Sequence, residues 1–154
     1  MAKSIKTETQ RKLISCVIAS VTLFMGGMVY VLFRPMNMLM FEWFDSVGLL
    51  KFICRMRIET TFLLPNWVEY SLPDGLWIFS YSLYIGSIWN FRLNKSVPFL
   101  ILLPFISIID EFLQIFNLVP GTFDVLDICA YILASVLGIG YILLMNKKMR
   151  LYEK

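Results

Sequence analysis

The sequence predicts an all-α membrane protein: one integral domain over residues 1–154, with four transmembrane helices and short interfacial helices between the first and second. Three observations predict it. Hydrophobic residues make up 58% of the chain and mean hydropathy is +0.72, more apolar surface than one small core could hide from water. The apolar residues gather in runs near the roughly 20 helical residues needed to cross the hydrocarbon layer. Lys and Arg concentrate at the two chain ends and in short loops, as orientation signals do.

The first run, residues 13–33, follows a polar stretch holding Lys3, Lys6, Arg11 and Lys12 and closes at Arg34-Pro35. It lacks a small-x-small cleavage site and is too long for a signal peptide's apolar core, so it reads as a retained span. Residues 34–71 contain no spanning run. Phe41, Phe44, Val47 or Gly48, and Phe52 recur at helical spacing, and Trp43 and Trp67 suit a membrane interface. One or two short surface helices are expected there.

Ser71-Leu72-Pro73-Asp74 reads as a helix start, with Ser or Asp as cap and Pro in the first turn. The second span is expected over residues 72–89. A polar loop with Arg92 and Lys95 leads to a third over 97–119, dividing at Pro104, whose missing N–H should kink it, and Pro120-Gly121-Thr122 turns the chain into a fourth over 125–145. With the N-terminus inside, ten of the fourteen Lys and Arg residues fall on the inner side. Both termini are therefore expected in the cytoplasm and the last turn outside.

Composition also excludes function classes. A net charge of +3, spread over ends and loops, is no nucleic-acid footprint. Three cysteines and no histidine leave no zinc motif and no imidazole base or Ser-His pair. No cofactor is called for, and the expected partners are membrane lipids, with self-association open.

Against this background the carboxylates near the last turn stand out, because an ionisable group in a span costs about 2.5 to 3.5 kcal/mol on insertion scales and marks a functional site by default. At 100° per residue, Pro104, Ser107, Glu111 and Gln114 share one arc of the third span, with Asp110 about a right angle away. Asp124, Asp127, Tyr131, Ala134 and Gly138 share an arc of the fourth, and positions 130, 134 and 138 are small, as close helix approach requires. A hairpin would bring these arcs together, and Asp74 at the head of the second span would join them. The candidate pocket is Asp74, Glu111, Gln114, Asp124 and Asp127, with Arg34, Arg55 and Arg57 as charge partners. Asp74 and Asp124 read equally well as helix caps.

At these residues the chain resembles the VanZ-like membrane proteins, whose pattern is Glu-x-x-Gln, a turn often containing Gly-Arg, then Asp-x-x-Asp-x-x-x-Asn-x-x-Gly. Here it is Glu111-x-x-Gln114, Pro120-Gly121, Asp124-x-x-Asp127 and a small-residue span through Gly138, with Thr122, Tyr131 and Ala134 standing at the Arg, Asn and following small positions. The likeness covers roughly residues 70–145. It implies a bacterial inner-membrane protein related to one associated with teicoplanin resistance.

Three functions are compatible with these residues. A non-enzymatic envelope protein would bind or shield a lipid-linked cell-wall component, a lipid headgroup or an amphiphilic antibiotic in the acidic pocket, and so affect glycopeptide susceptibility. A membrane-embedded enzyme would hold a divalent cation on Glu111, Asp124 and Asp127, with Arg55 or Arg57 on a lipid or isoprenoid phosphate. A transporter or proton relay would also use intramembrane acids, but no inverted repeat is visible.

Overall fold

The computed structural model describes residues 2–59 and 64–152, and the side chains of residues 8–57 and 64–149. Its described residues form seven helices and no strand: α1 (Ala2–Phe33), α2 (Leu39–Ser46), α3 (Leu50–Glu59), α4 (Asn66–Tyr70), α5 (Leu72–Ile88), α6 (Leu93–Ile115) and α7 (Val125–Tyr152). Segments Glu8–Phe33, Leu93–Ile115 and Val125–Met149 are long and apolar enough to cross a membrane. The fold is thus all-α with three candidate membrane spans, as in a multi-pass membrane protein. The 17 residues of α5 rise about 26 Å, a little short of the roughly 30 Å hydrocarbon core.

Helix ends differ from the expected bounds for local reasons. The third apolar run forms a helix over Leu93–Ile115 rather than 97–119. It stops because Asn117 adopts φ 54°, letting its N–H bond the Gln114 carbonyl and the Leu118 N–H bond that of Leu113; this double closure is the Schellman motif. Asn90, also at φ 54°, ends α5 in the same way, with Asn90 N–H on Ser87 O and Phe91 N–H on Gly86 O. Pro98 and Pro104 both lie inside α6. At the other extremes α1 and α7 run beyond the spans expected at 13–33 and 125–145.

The start of α5 also departs from expectation. Ser71 sits at φ −97°, ψ −32°, in the helical region, and makes no side-chain cap bond. Its N–H bonds Trp67 O and its carbonyl accepts from Gly75 N–H, so helical hydrogen bonding passes from α4 into α5 and leaves no cap position to fill.

Between α1 and α4, Gly48 at φ 74° closes α2 through Gly48 N–H to Asp45 O and Leu49 N–H to Phe44 O. The turn breaks the expected apolar stripe. Phe41 is buried, but Val47 and Phe52 are exposed and Ile53 is buried in place of Phe52. Trp43 and Trp67 are both exposed.

The bundle is built around α5, which packs against α1, α4, α6 and α7. Its small residues allow this. A Cβ on Gly75 would stand 3.4 Å from Ala130, one on Gly138 would stand 2.5 Å from Ser82 Cβ, and one on Gly86 would stand 2.7 Å from Ile142. Contacts 75 to 130, 82 to 138 and 86 to 142 advance together, so α5 and α7 run parallel. Helix α1 runs antiparallel: Ser80 Oγ donates to Ala19 O at 2.7 Å, Ser20 meets Tyr84 at 2.7 Å and Gly26 lies under Trp77. Close approach and interhelical hydroxyl bonds hold such bundles where lipid removes the hydrophobic drive between helices. Large residues such as Phe24, Phe105, Leu133 and Leu144 point outward and are exposed.

Candidate functional site

One end of the bundle gathers the finishes of α1 and α6 and the starts of α5 and α7. A cavity of about 570 Å³ opens there, and Asp74, Glu111, Gln114, Asp124 and Asp127 all line it. Arg34, Asp110, Tyr70, Thr122 and Tyr131 line it too. Five carboxylates thus face one guanidinium.

Glu111 is the most enclosed, at 4% exposure. Its Oε2 accepts from the Asp124 N–H at 3.2 Å, and its Oε1 accepts from Tyr131 OH at 3.4 Å and from Gln114 Nε2 at 3.5 Å. One carboxylate therefore joins α6, the turn and α7. Gln114 Nε2 also lies 3.4 Å from Asp110 Oδ2, so Asp110, expected to point away, shares the cavity mouth. Gly121 makes room for the Gln114 amide: at φ 141° a Cβ there would fall 2.7 Å from the amide's Cδ and Oε1.

Asp124 caps α7, its Oδ1 accepting the Leu126 N–H at 2.8 Å, a bond that also suits the positive end of the helix dipole. Asp74 lies in the first turn of α5. It faces Arg34, with Nη2 and Oδ2 3.8 Å apart, an ion pair beyond hydrogen-bond range. Arg34 is held mainly by other contacts: Nη2 donates to Tyr70 O at 2.8 Å, and the guanidinium lies 4.9 Å from the Tyr30 ring centroid and 4.7 Å from that of Tyr70. Stacking between two rings is a suitable setting for Arg.

The other expected charge partners sit elsewhere. Arg57 Nη1 donates to Val31 O at 2.7 Å and the guanidinium rests 5.5 Å from the Phe41 ring centroid, which ties α3 to α1. Neither Arg55 nor Arg57 is among the lining residues. Among the described residues no group of three His, Cys, Asp or Glu side chains is placed to hold a metal ion. Glu111, Asp124 and Asp127 do not form such a set, because Glu111 meets the backbone of Asp124 while the Asp124 side chain turns to its own helix.

Two acceptors in the cavity are left over. Asp127 Oδ1 and Gln114 Oε1 are buried atoms with no hydrogen-bond partner among the described residues, and Arg34 Nε is a buried donor in the same state. Tyr131 is the residue that sequence reasoning undervalued. It lies four positions after Asp127, hence on the same face, but an aromatic in an apolar span reads first as core.

The fold and cavity define a helical, multi-pass type of membrane protein with an acid-lined chamber at one end of its bundle. Compared with family models, curated proteins and solved structures, the chain matches none.

Proposed function

We propose that the protein is a four-span, non-enzymatic protein of the bacterial cytoplasmic membrane. Both termini lie inside, and the acid-lined chamber receives the polar head of an envelope component or amphiphile from outside. The observation that carries this reading is the pair of buried, unpartnered acceptors, Asp127 Oδ1 and Gln114 Oε1, in a cavity where Arg34, the one cation lining it among the described residues, already bonds Tyr70 O and pairs with Asp74, with its buried Nε left unbonded. Unsatisfied buried acceptors are costly. A ligand relieving that cost brings donors and positive charge, so an ammonium-bearing head fits better than a bare phosphate.

The VanZ-like pattern agrees with this reading and extends it to glycopeptide susceptibility. The metal-dependent enzyme reading draws less support, since its cation ligands are not grouped and its phosphate-gripping arginines lie away from the cavity.

The test replaces Asp127 by Asn in a host that the wild-type chain protects, with protein abundance measured alongside teicoplanin susceptibility. Protection is expected to fall while abundance holds. Full protection at normal abundance would sink the proposal.

A further inference from the structure

A second void lies behind the first. It is a groove of about 470 Å³, lined by Thr22 of α1, Trp67 of α4, residues of the first turns of α5 and one long face of α7 from Leu126 to Leu137. Its walls are nearly all carbon, and Gly75, Ala130 and Ala134 keep it open. Eleven residue steps of α7 give it a length of roughly 16 Å.

Two hydroxyl residues interrupt that wall, and Thr22 is satisfied, its Oγ1 donating to Ile18 O at 3.0 Å. Ser71 is 3% exposed and lines the groove, yet its Oγ has no hydrogen-bond partner among the described residues. A helical serine ordinarily turns its hydroxyl back to the carbonyl three or four residues earlier, as Ser80's neighbour Ser82 does to Ile78 O at 2.9 Å. Ser71 leaves that bond unmade, and a buried hydroxyl without a partner calls for an acceptor.

The groove and the acidic cavity share their walls. Tyr70, Asp74, Asp127 and Tyr131 line the cavity, while their chain neighbours Ser71, Gly75, Leu126 and Ala130 line the groove. The dividing wall is therefore the α5–α7 contact, and it ends where those helices begin, at Leu72 and Val125. Helix α4 lies across that end, with Trp67 on the groove and Tyr70 on the cavity.

We propose that the two voids bind one molecule, a single-chain acyl amphiphile whose cationic head sits among the cavity carboxylates and whose chain lies in the groove. Ser71 Oγ donates to the acyl carbonyl at the junction. This rests on the cavity reading above and adds the ligand's lipid half. Charge complementarity selects the head, and the unpartnered Ser71 hydroxyl at the polar end of an apolar groove selects an acyl over a plain alkyl chain.

Cys129, exposed and on the groove, reports occupancy. Purified full-length protein in nanodiscs is alkylated with an apolar maleimide, and the rate at Cys129 is read by mass spectrometry against Cys16 and Cys54. Three probes are compared: N-lauroyl-ethylenediamine, monolaurin, which lacks the charge, and N-acetyl-ethylenediamine, which lacks the chain. The lauroyl diamine is expected to protect Cys129 at about tenfold lower concentration than monolaurin, and the acetyl compound is expected to give no protection. Ser71→Ala, which removes only an unpartnered hydroxyl, should weaken protection by the lauroyl diamine about fivefold. Leu133→Trp, at an exposed position on the groove, should abolish protection by filling the groove.

Binding of both ethylenediamine probes that is lost in Asp127→Asn, with Cys129 unprotected by either lauroyl compound, overturns the groove proposal and leaves the cavity reading standing. Equal protection by lauroyl diamine and monolaurin, unaltered in Asp127→Asn, overturns both.

Discussion

Glu111 and Asp127 face the same cavity in different bonding states, and the difference separates structure from ligand binding. Glu111 receives three donors, from Asp124, Tyr131 and Gln114, whereas Asp127 Oδ1 has none. Glu111→Gln puts an amide NH₂ where one oxygen accepts, so at least one of these bonds is lost. Hydrogen bonds to charged groups contribute about 1.5 to 3 kcal/mol; the variant is expected to lose about 1 kcal/mol or more of stability, seen as a lower unfolding midpoint in detergent. Asp127→Asn changes a carboxylate whose Oδ1 has no hydrogen-bond partner among the described residues, so its midpoint should stay within about 0.5 kcal/mol of wild type. A large destabilisation of Asp127→Asn would mean that this carboxylate has a structural role after all. In the sequence, the cap at Asp124 was legible because an aspartate directly precedes an apolar helix. The fate of the arginines was not, since any of three could reach the acids along the chain; the structure brings Arg34 to Asp74 and packs Arg57 on Phe41 and Val31 instead.

At the scale of helices, packing rests on a few small residues rather than on the apolar content as a whole. Gly138 faces Ser82 so closely that a Cβ would fall 2.5 Å from its Cβ, while Gly140, two residues on, has nothing within 4 Å. Gly138→Ala should therefore push α5 from α7 and destabilise the bundle by about 1 to 3 kcal/mol, as overpacking does. Gly140→Ala should be neutral or raise stability by about 0.5 to 1 kcal/mol, the helix-propensity gain of alanine. Thermal unfolding of the two variants side by side checks the contrast, and equal effects would refute the packing register. The 130, 134, 138 stripe was legible because small residues four apart mark close contact. Which helix it meets was not, because the sequence-adjacent partner was α6 and the structure places Gly75, Ser82 and Gly86 of α5 there instead. Helix ends were hidden for a similar reason: Asn90 and Asn117 end helices by taking a left-handed conformation, which asparagine permits but does not require.

For the whole molecule, the decisive question is whether α5 carries the chain across the membrane. Three helices qualify by length and composition, and α5 falls just short. Its packing argues for a crossing all the same. Helices α1 and α7 meet near Ser15 and Tyr141, 2.8 Å apart at their hydroxyls, and Phe91, three residues past the end of α5, lies against that same Tyr141. The chain leaves α1 at the acidic end, at Arg34, and enters α6 at the opposite end, at Leu93, so α5 traverses the bundle between them. Being short is tolerable for a helix enclosed by α1, α6 and α7, since protein rather than lipid covers most of it. Labelling with a membrane-impermeant maleimide in intact cells separates the alternatives. In a background with Cys16, Cys54 and Cys129 replaced by Ser, single cysteines are placed at the exposed positions Thr122, Lys95 and Lys148. Four crossings with the N-terminus inside predict that Thr122→Cys is labelled directly, and that Lys95→Cys and Lys148→Cys are labelled only after permeabilisation. Three crossings with the same N-terminus predict the reverse at all three sites, and would turn the acidic chamber's α6–α7 turn toward the cytoplasm, out of reach of any envelope ligand.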